Sequence, residues 1–248
     1  VVPLDQRGPL TARAQVPSAD EETAAARTGA PGQADWRDDG LATQWASGDR
    51  LEGLLTLPRR ITADLLAASE EPVRTVLDVG SGPGAFLGTL LEHLPTARGI
   101  WTDVSTAMRS IARERLAGLG GRVEYRLADA SALRDVAAPG SLDAVVTSRV
   151  THHLGPTELA DFYADARALL APHGWIANLD HVSIAEPWAA RLAAARAAVV
   201  PPNPSPHRHD RPHPTLDAHL DALDRLGDVD VVVPWRAYAT VLVVARRR

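Results

Sequence analysis

The sequence predicts an α/β fold: a doubly wound sheet of seven strands, mostly parallel with an antiparallel C-terminal strand, and a helical N-terminal cap. Three observations carry that expectation. From Thr75 onward, short apolar runs alternate with helix-like patterns, the order that builds a parallel sheet covered by helices on both faces. The runs are near-continuous in apolar residues, as in Leu142-Asp143-Ala144-Val145-Val146-Thr147, which marks strands buried on both sides. The last two runs, Val229–Val233 and Thr240–Ala245, are separated by residues 234–239 alone. That gap is too short for a helical crossover and makes them antiparallel neighbours.

Residues 1–33 are rich in Pro, Gly, Ala and charge and lack periodicity, so a disordered arm is expected there. Residues 34–70 form the cap. Trp45, Leu51, Leu54, Leu55, Leu57, Ile61, Leu65 and Leu66 recur at helical spacing, and Pro58 marks a break between two helices. The remaining chain, residues 71–248, reads as one domain. Thr75–Val79 is a strand and Ala85–His93 a helix; Arg98–Thr102 is a strand, and Thr106–Leu116 a helix for which Ser105 is a cap candidate. Val123–Leu127 is a strand. Strand Leu142–Thr147 leads to helix Pro156–Leu170, and strand Trp175–Leu179 to helix Trp188–Val199. A Pro- and His-rich loop, Pro201–Pro214, precedes helix Thr215–Leu226 and lies in a lid-like insertion, residues 187–226. Right-handed crossovers leave few topologies for this order.

Composition narrows the function. The chain has 248 residues and no cysteine, which rules out disulfides, a thiol nucleophile and a cysteine-based zinc site. Its net charge is −5 and its 26 basic residues are all Arg, a pattern of coding bias rather than of function. A mildly acidic chain without a basic stripe is a poor candidate for nucleic-acid binding. No apolar run approaches the roughly 20 residues that span a bilayer, and the N-terminus lacks a secretory pattern, so a cytoplasmic protein without a membrane partner is expected.

The chemistry begins at Asp78-Val79-Gly80-Ser81-Gly82-Pro83-Gly84, where a strand runs into glycines and then a helix. Glycine permits the sharp turn and lets a ligand touch the main chain, and a strand, glycine turn and helix N-terminus make a nucleotide-binding crevice of the Rossmann-like kind. Gly80-x-Gly82-x-x-Ala85 also fits the dinucleotide fingerprint, and Asp103 suits ribose hydroxyls in either case. NAD is therefore a competitor. Asp78, able to meet a cationic amine, the continued run at Gly84 and the C-terminal antiparallel pair favour another ligand.

With these features the chain resembles the class I S-adenosylmethionine-dependent methyltransferases, over about Val73 to Ala245. Asp78–Gly84 looks like their first motif, Trp101-Thr102-Asp103-Val104-Ser105 like the acidic ribose position and Leu127-Ala128-Asp129-Ala130 like the adenine-contacting position. Leu142–Ser148 looks like strand four. Leu169-Leu170-Ala171-Pro172-His173-Gly174-Trp175 looks like a turn that is usually Pro-Gly-Gly, with His173 a departure. The resemblance implies S-adenosyl-L-methionine as cofactor. It places Gly80, Gly82 and Gly84 against the methionine portion, Asp78 near its amine, Asp103 on the ribose, Val104 on the adenine face, Asp129 and Ala130 at the adenine edge, and Ser148 at the end of strand four.

The acceptor side is read from the ends of strands four and five, Ser148-Arg149-Val150-Thr151-His152-His153-Leu154 and Asn178-Leu179-Asp180-His181. The His-His-Leu run resembles small-molecule methyltransferases of the ubiquinone/menaquinone-biosynthesis type, and not the Asn/Asp-Pro-Pro-aromatic run of enzymes that methylate base or amide nitrogens. This implies a small-molecule acceptor, with secondary metabolism as a fold-level analogy. His153 and His181 are the leading candidate bases, with His152 behind them; lining the pocket or capping a helix is the competing role. Asp180 is a candidate to orient a neighbouring histidine or to bind substrate. His207, His209, Asp210 and His213 have metal-ligand chemistry, but they lie in a Pro-rich loop without helical pair spacing; a lid or substrate loop is expected, and no metal. Trp36 and Trp45 are packing residues or a stacking surface for a flat acceptor. Other uses of the same cofactor such as cyclisation, an NAD(P)-dependent oxidoreductase, and a non-catalytic binding protein stay open.

Overall fold

The computed structural model describes residues 36–48, 52–200 and 211–248. The expected arm at 1–33, Leu51, and Pro201–Asp210 of the Pro- and His-rich loop lie outside the described residues. The elements are α1 (Asp39–Gly48), α2 (Glu52–Ala67), β1 (Thr75–Val79), α3 (Ala85–His93), β2 (Arg98–Asp103), α4 (Thr106–Arg115), β3 (Val123–Leu127), β4 (Leu142–Ser148), α5 (Pro156–Leu169), β5 (Leu170–His181), α6 (Trp188–Ala197), α7 (Leu216–Asp224), β6 (Val229–Ala237) and β7 (Thr240–Arg247).

Among the described residues the strands form a seven-stranded sheet in the order β3-β2-β1-β4-β5-β7-β6. β1 pairs in parallel with β2 on one side and β4 on the other, so Leu77 lies between Ile100 and Val145. β7 runs antiparallel to β5 and to β6, as the short connection required. The direction of winding reverses between β1 and β4, and in such sheets a crevice opens at the carboxyl ends of those two strands.

Alternation along each strand sends neighbours to opposite faces. Val76, Trp101, Val146 and Leu179 pack with Leu55 and Leu66 of α2, Phe86, Leu87, Leu90 and Leu91 of α3, and Met108 of α4. Leu77, Val79, Ile100, Val145 and Ile176 pack with Leu159, Phe162 and Tyr163 of α5 and Leu223 of α7. Each fully buried side chain of this size contributes about 1.5–3 kcal/mol. Strand length and helix position follow from this two-sided burial.

Pro58 does not break the cap into two helices; it lies inside α2. Proline removes one helical hydrogen bond, yet Leu55, Ala63 and Leu66 are buried on either side of it. Burial of that stripe holds the helix through the defect. β5 also begins earlier than expected, at Leu170, with an irregularity in its pairing to β4 between Leu142 and Ala144. The edge strand β6 carries a register shift between Val232 and Trp235, around Pro234.

His173, the departure from the Pro-Gly-Gly pattern, has φ 64°, a left-handed conformation that costs a residue with a Cβ about 1–2 kcal/mol. The side chain is exposed, so little packing is lost on removing it. His173→Gly raises stability by up to about 1 kcal/mol after the entropy of the unfolded glycine is counted, measured by urea unfolding.

Candidate active site

The carboxyl ends of β1 and β4 carry the groups that the sequence singled out. β1 delivers Asp78 to the α3 face and then turns through Gly80 and Gly82, at φ 60° and 53°. A Cβ on Gly80 would come within 2.3 Å of Val150 Cγ2, which follows β4. The glycine is what lets the loop after β4 close onto the turn after β1. A Cβ on Gly82 would meet nothing within 4 Å, because that residue borders a cavity of about 140 Å³. The cavity is lined by Asp78, Gly80, Ser81 and Gly82 of the turn, Ser148 and Arg149 after β4, Trp45 of α1, and Arg59 of α2.

Asp78 is 1% exposed. Its Oδ2 accepts from Ser81 Oγ at 2.6 Å and from Leu87 N at 3.2 Å. Its Oδ1 has no hydrogen-bond partner among the described residues, and neither has Ser148 Oγ. Burial pushes the Asp78 carboxyl up to about 7, against the pull of Ser81, Leu87 and the Arg59 guanidinium. Arg59 is 3% exposed and occupies a place in the buried stripe of α2. Across the cavity, the Arg149 guanidinium lies 4.5 Å from the Trp45 ring centroid, and Arg149 itself holds φ 59°.

Asp103, at the end of β2, accepts from Gly82 N at 3.0 Å and Ser105 N at 2.9 Å. Burial raises its pKa in spite of these bonds. Val104 and Ala130 are half-buried. Asp129 is bound to Ser131 N and Oγ through Oδ1, and to Arg37 through Oδ2 at 3.1 Å. Burial pushes its carboxyl up, but the donors from Ser131 and Arg37 outweigh it and leave the pKa low. Gly84 caps α3 in a left-handed conformation and is absent from the cavity wall formed by Gly80 and Gly82.

On the acceptor side the structure brings His152, His153 and His181 together and adds His213. Ring centroids of His153, His213 and His181 lie 4.1, 5.1 and 5.4 Å from that of His152. Trp36 sits edge-on to both Trp45 and His153. Beneath them Asp180 is fully buried. Its Oδ1 faces His152 Nδ1 at 2.6 Å and accepts from His181 N at 2.7 Å. Its Oδ2 accepts from Val150 N, Thr151 Oγ1 and His152 N at 3.1, 2.7 and 3.0 Å. Burial works against the charge, but the facing His152 imidazole and these donors hold the Asp180 carboxyl well below the usual range. An ionised Asp180 makes Nδ1 of a neutral His152 the protonated nitrogen, leaving the lone pair on Nε2. Burial depresses His181 to about 3, so it is uncharged near neutrality. His181 Nδ1 is 3.2 Å from Thr240 Oγ1.

Arg59 and Arg149 were not among the expected site residues, whereas His213 was named with the loop expected to act as a lid or to contact substrate. Arg59 had a signal: it stands one helical turn after Leu55 on an otherwise apolar stripe. Arg149 had none, since it reaches the site by loop geometry. His207, His209 and Asp210 lie outside the described residues. Among the described ones no group of three His, Asp or Glu side chains has the arrangement to hold a metal ion, and no helix is long and apolar enough to cross a membrane.

Residues 76–174 match the family described as a methyltransferase domain. That match, with the relatives and the solved structure below, supports a class I S-adenosylmethionine-dependent methyltransferase. The chain is 41% identical over 118 residues to a release factor glutamine methyltransferase of Cereibacter sphaeroides, covering 46% of this chain and 37% of that one. It is 34% identical over 150 residues to a trans-aconitate 2-methyltransferase of Azoarcus sp. strain BH72, covering 56% of each chain. It thus spans between about a third and about half of the length of these curated relatives. The fold superposes on an O-methyltransferase family protein from Burkholderia thailandensis with a TM-score of 0.64 at 17% identity, over 92% of this chain and 67% of that one.

The raised Asp78 pKa makes the ligand-free protein sensitive to pH. The folded chain holds a proton at Asp78 up to about pH 7, whereas an unfolded Asp gives it up near 4. Stability from this group is complete below the unfolded value and lost as pH rises through about 7. Asp78→Asn keeps the side chain neutral and relieves the loss, which for a shift of this size is on the order of 4 kcal/mol. Urea midpoints measured from pH 4 to pH 8 should decline in the unaltered protein and stay nearly level, for this contribution, in the variant.

Proposed function

We propose that this methyltransferase transfers a methyl group from S-adenosyl-L-methionine to a small-molecule O, N or C acceptor. The observation that carries the cofactor assignment is the buried, unpartnered Asp78 Oδ1 on a cavity it shares with the Arg59 guanidinium. A ligand end with an ammonium and a carboxylate answers both. A nicotinamide dinucleotide brings neither group, which disfavours the dehydrogenase reading. In this assignment Asp78 accepts from the ammonium, Arg59 pairs with the carboxylate, and Gly80, Gly82 and Ser148 border the methionine chain. Gly84 supports the turn from behind. Asp103 faces the ribose hydroxyls with the acceptor capacity that its backbone donors leave. Val104 packs on the adenine face, while Asp129, alongside Arg37, and the Ala130 N–H meet its edge.

Bound there, S-adenosyl-L-methionine supplies a methyl group on a sulfonium, already activated for in-line displacement. The chain's own task is to align the acceptor and take its proton. His152 is the base: Asp180 fixes its tautomer and stabilises the imidazolium that forms once Nε2 has accepted a proton. His153 and His181 shape the space around it, with His181 kept neutral by burial. This reverses the order expected from sequence. Trp36 and Trp45 offer aromatic edges to a flat acceptor. The Azoarcus relative's name gives a small organic acid as its acceptor and the Cereibacter relative's a release factor. Residues 148–154 favour a small molecule, since histidines stand there in place of the Asn/Asp-Pro-Pro-aromatic run.

Titration with S-adenosylhomocysteine by calorimetry, with NAD and NADP as controls, tests the cofactor. Binding of the first alone is expected; preference for a dinucleotide overturns the assignment. Because the ammonium requires an ionised Asp78, affinity should rise about tenfold per pH unit below about pH 7 and level off above it, with close to one proton released at pH 6.

His152→Ala should lower turnover of any acceptor found by screening at least about a hundredfold. The same variant should leave S-adenosylhomocysteine affinity within about twofold, since His152 is not on the cofactor cavity. Full turnover would remove His152 as the base.

A further inference from the structure

β5 carries an oddity on the face it presents to α5 and α7. Ile176 and Val182 belong to the apolar core on that face, and Asn178 and Asp180 take the two places between them. Asn178 is 1% exposed, and Tyr163 of α5, His219 of α7 and Thr151 are fully buried. Buried polar groups destabilise unless hydrogen-bonded, and these four are bonded in a line. Thr151 Oγ1 donates to Asp180 Oδ2 at 2.7 Å. Asn178 Nδ2 donates to Thr151 Oγ1 and to Tyr163 Oη, each at 2.8 Å. Tyr163 Oη lies 2.9 Å from His219 Nδ1.

The donors and acceptors fix the direction of the links to Thr151 and from Asn178, and the His219 tautomer sets that of the last one. An amide nitrogen only donates, so Thr151 and Tyr163 each accept from Asn178. Thr151 then turns its own proton to Asp180, and with His219 in its Nε2–H tautomer Tyr163 turns its proton to His219 Nδ1. Burial raises the Tyr163 pKa and lowers that of His219, which keeps phenol and imidazole neutral, as this direction requires. Asn178 Oδ1 and His219 Nε2 have no hydrogen-bond partner among the described residues. Apolar residues at 163, 178 and 219 would fill the same core without those two orphaned atoms. Stability therefore does not account for the line.

We propose that Tyr163, Asn178 and His219 are positioning residues for the His152–Asp180 pair. They hold the Thr151 hydroxyl in the one orientation that donates to Asp180, and so fix the carboxylate that sets the His152 tautomer. The inference rests on His152 as the base. It makes α7, which lies within the 187–226 insertion, a structural support of the acceptor site from the far side of β5.

The test is nitrogen-15 NMR of the imidazoles in the full chain, which needs neither cofactor nor acceptor. The unaltered protein should show His152 as a single Nδ1–H tautomer with a slowly exchanging proton. Tyr163→Phe removes one hydroxyl with little change of shape. It should speed exchange of that proton roughly fivefold, the effect of one lost buried hydrogen bond, and bring in the Nε2–H tautomer. Thr151→Val should do so more strongly, and Thr151→Ser should restore the slow exchange. Phe162→Leu, in the same core, should lower the melting temperature and leave the His152 signals unchanged. Unchanged His152 signals in Tyr163→Phe, whatever its melting temperature, overturn the inference, as does an Nε2–H tautomer in the unaltered protein. The two readings fail separately: loss of the positioning inference leaves S-adenosylhomocysteine binding intact, and absence of that binding leaves the imidazole signals as they are.

Discussion

A buried carboxylate has to gather its own donors, and Asp180 is where that requirement shapes this protein most. Among the described residues it receives backbone N–H groups from residues 150, 152 and 181, a hydroxyl from residue 151, and faces the His152 imidazole. The loop after β4 is thereby wound around the end of β5. Val150 is set against Gly80, so the turn after β1 is held from the same side. The left-handed backbone at Arg149 is the local strain that this winding requires.

Asp78 presents the opposite case. It is equally buried but poorer in donors, and one of its oxygens is unpartnered. One acid is satisfied by the protein and organises it; the other keeps an oxygen that no described residue satisfies, the one the proposal gives to a ligand. The same residue type at the carboxyl ends of two parallel strands thus does two different jobs, and the count of converging donors decides which.

The sheet was legible in the sequence because strand and helix periods follow directly from which faces are buried. The glycine turn was legible because left-handed backbone at Gly80 and Gly82 demands glycine. Pro58 misled, since local propensity says nothing of the burial of Leu55 and Leu66 around it. The acceptor side was legible as a set of histidines and not as an arrangement. Nothing in the run His152-His153 tells which ring turns inward to Asp180, because that depends on a short helical turn at 151–153 docking on a strand some 30 residues later. The line through Tyr163 and His219 was invisible for the same reason: its members come from α5, β5 and α7.

The bulge at Val232 and Trp235 bears on how the protein behaves in a crowded solution. β6 is the outer strand beside β7 and exposes Val231 and Val232, a surface that invites another chain to add a strand. Pro234 offers no N–H, the register shift around it spoils the regular spacing of donors and acceptors, and Asp230 and Arg236 place exposed charges along the same strand. An intruding strand would find a few bonds and then a mismatch. The sheet ends there as a finite object, its edge strand built against edge-to-edge growth.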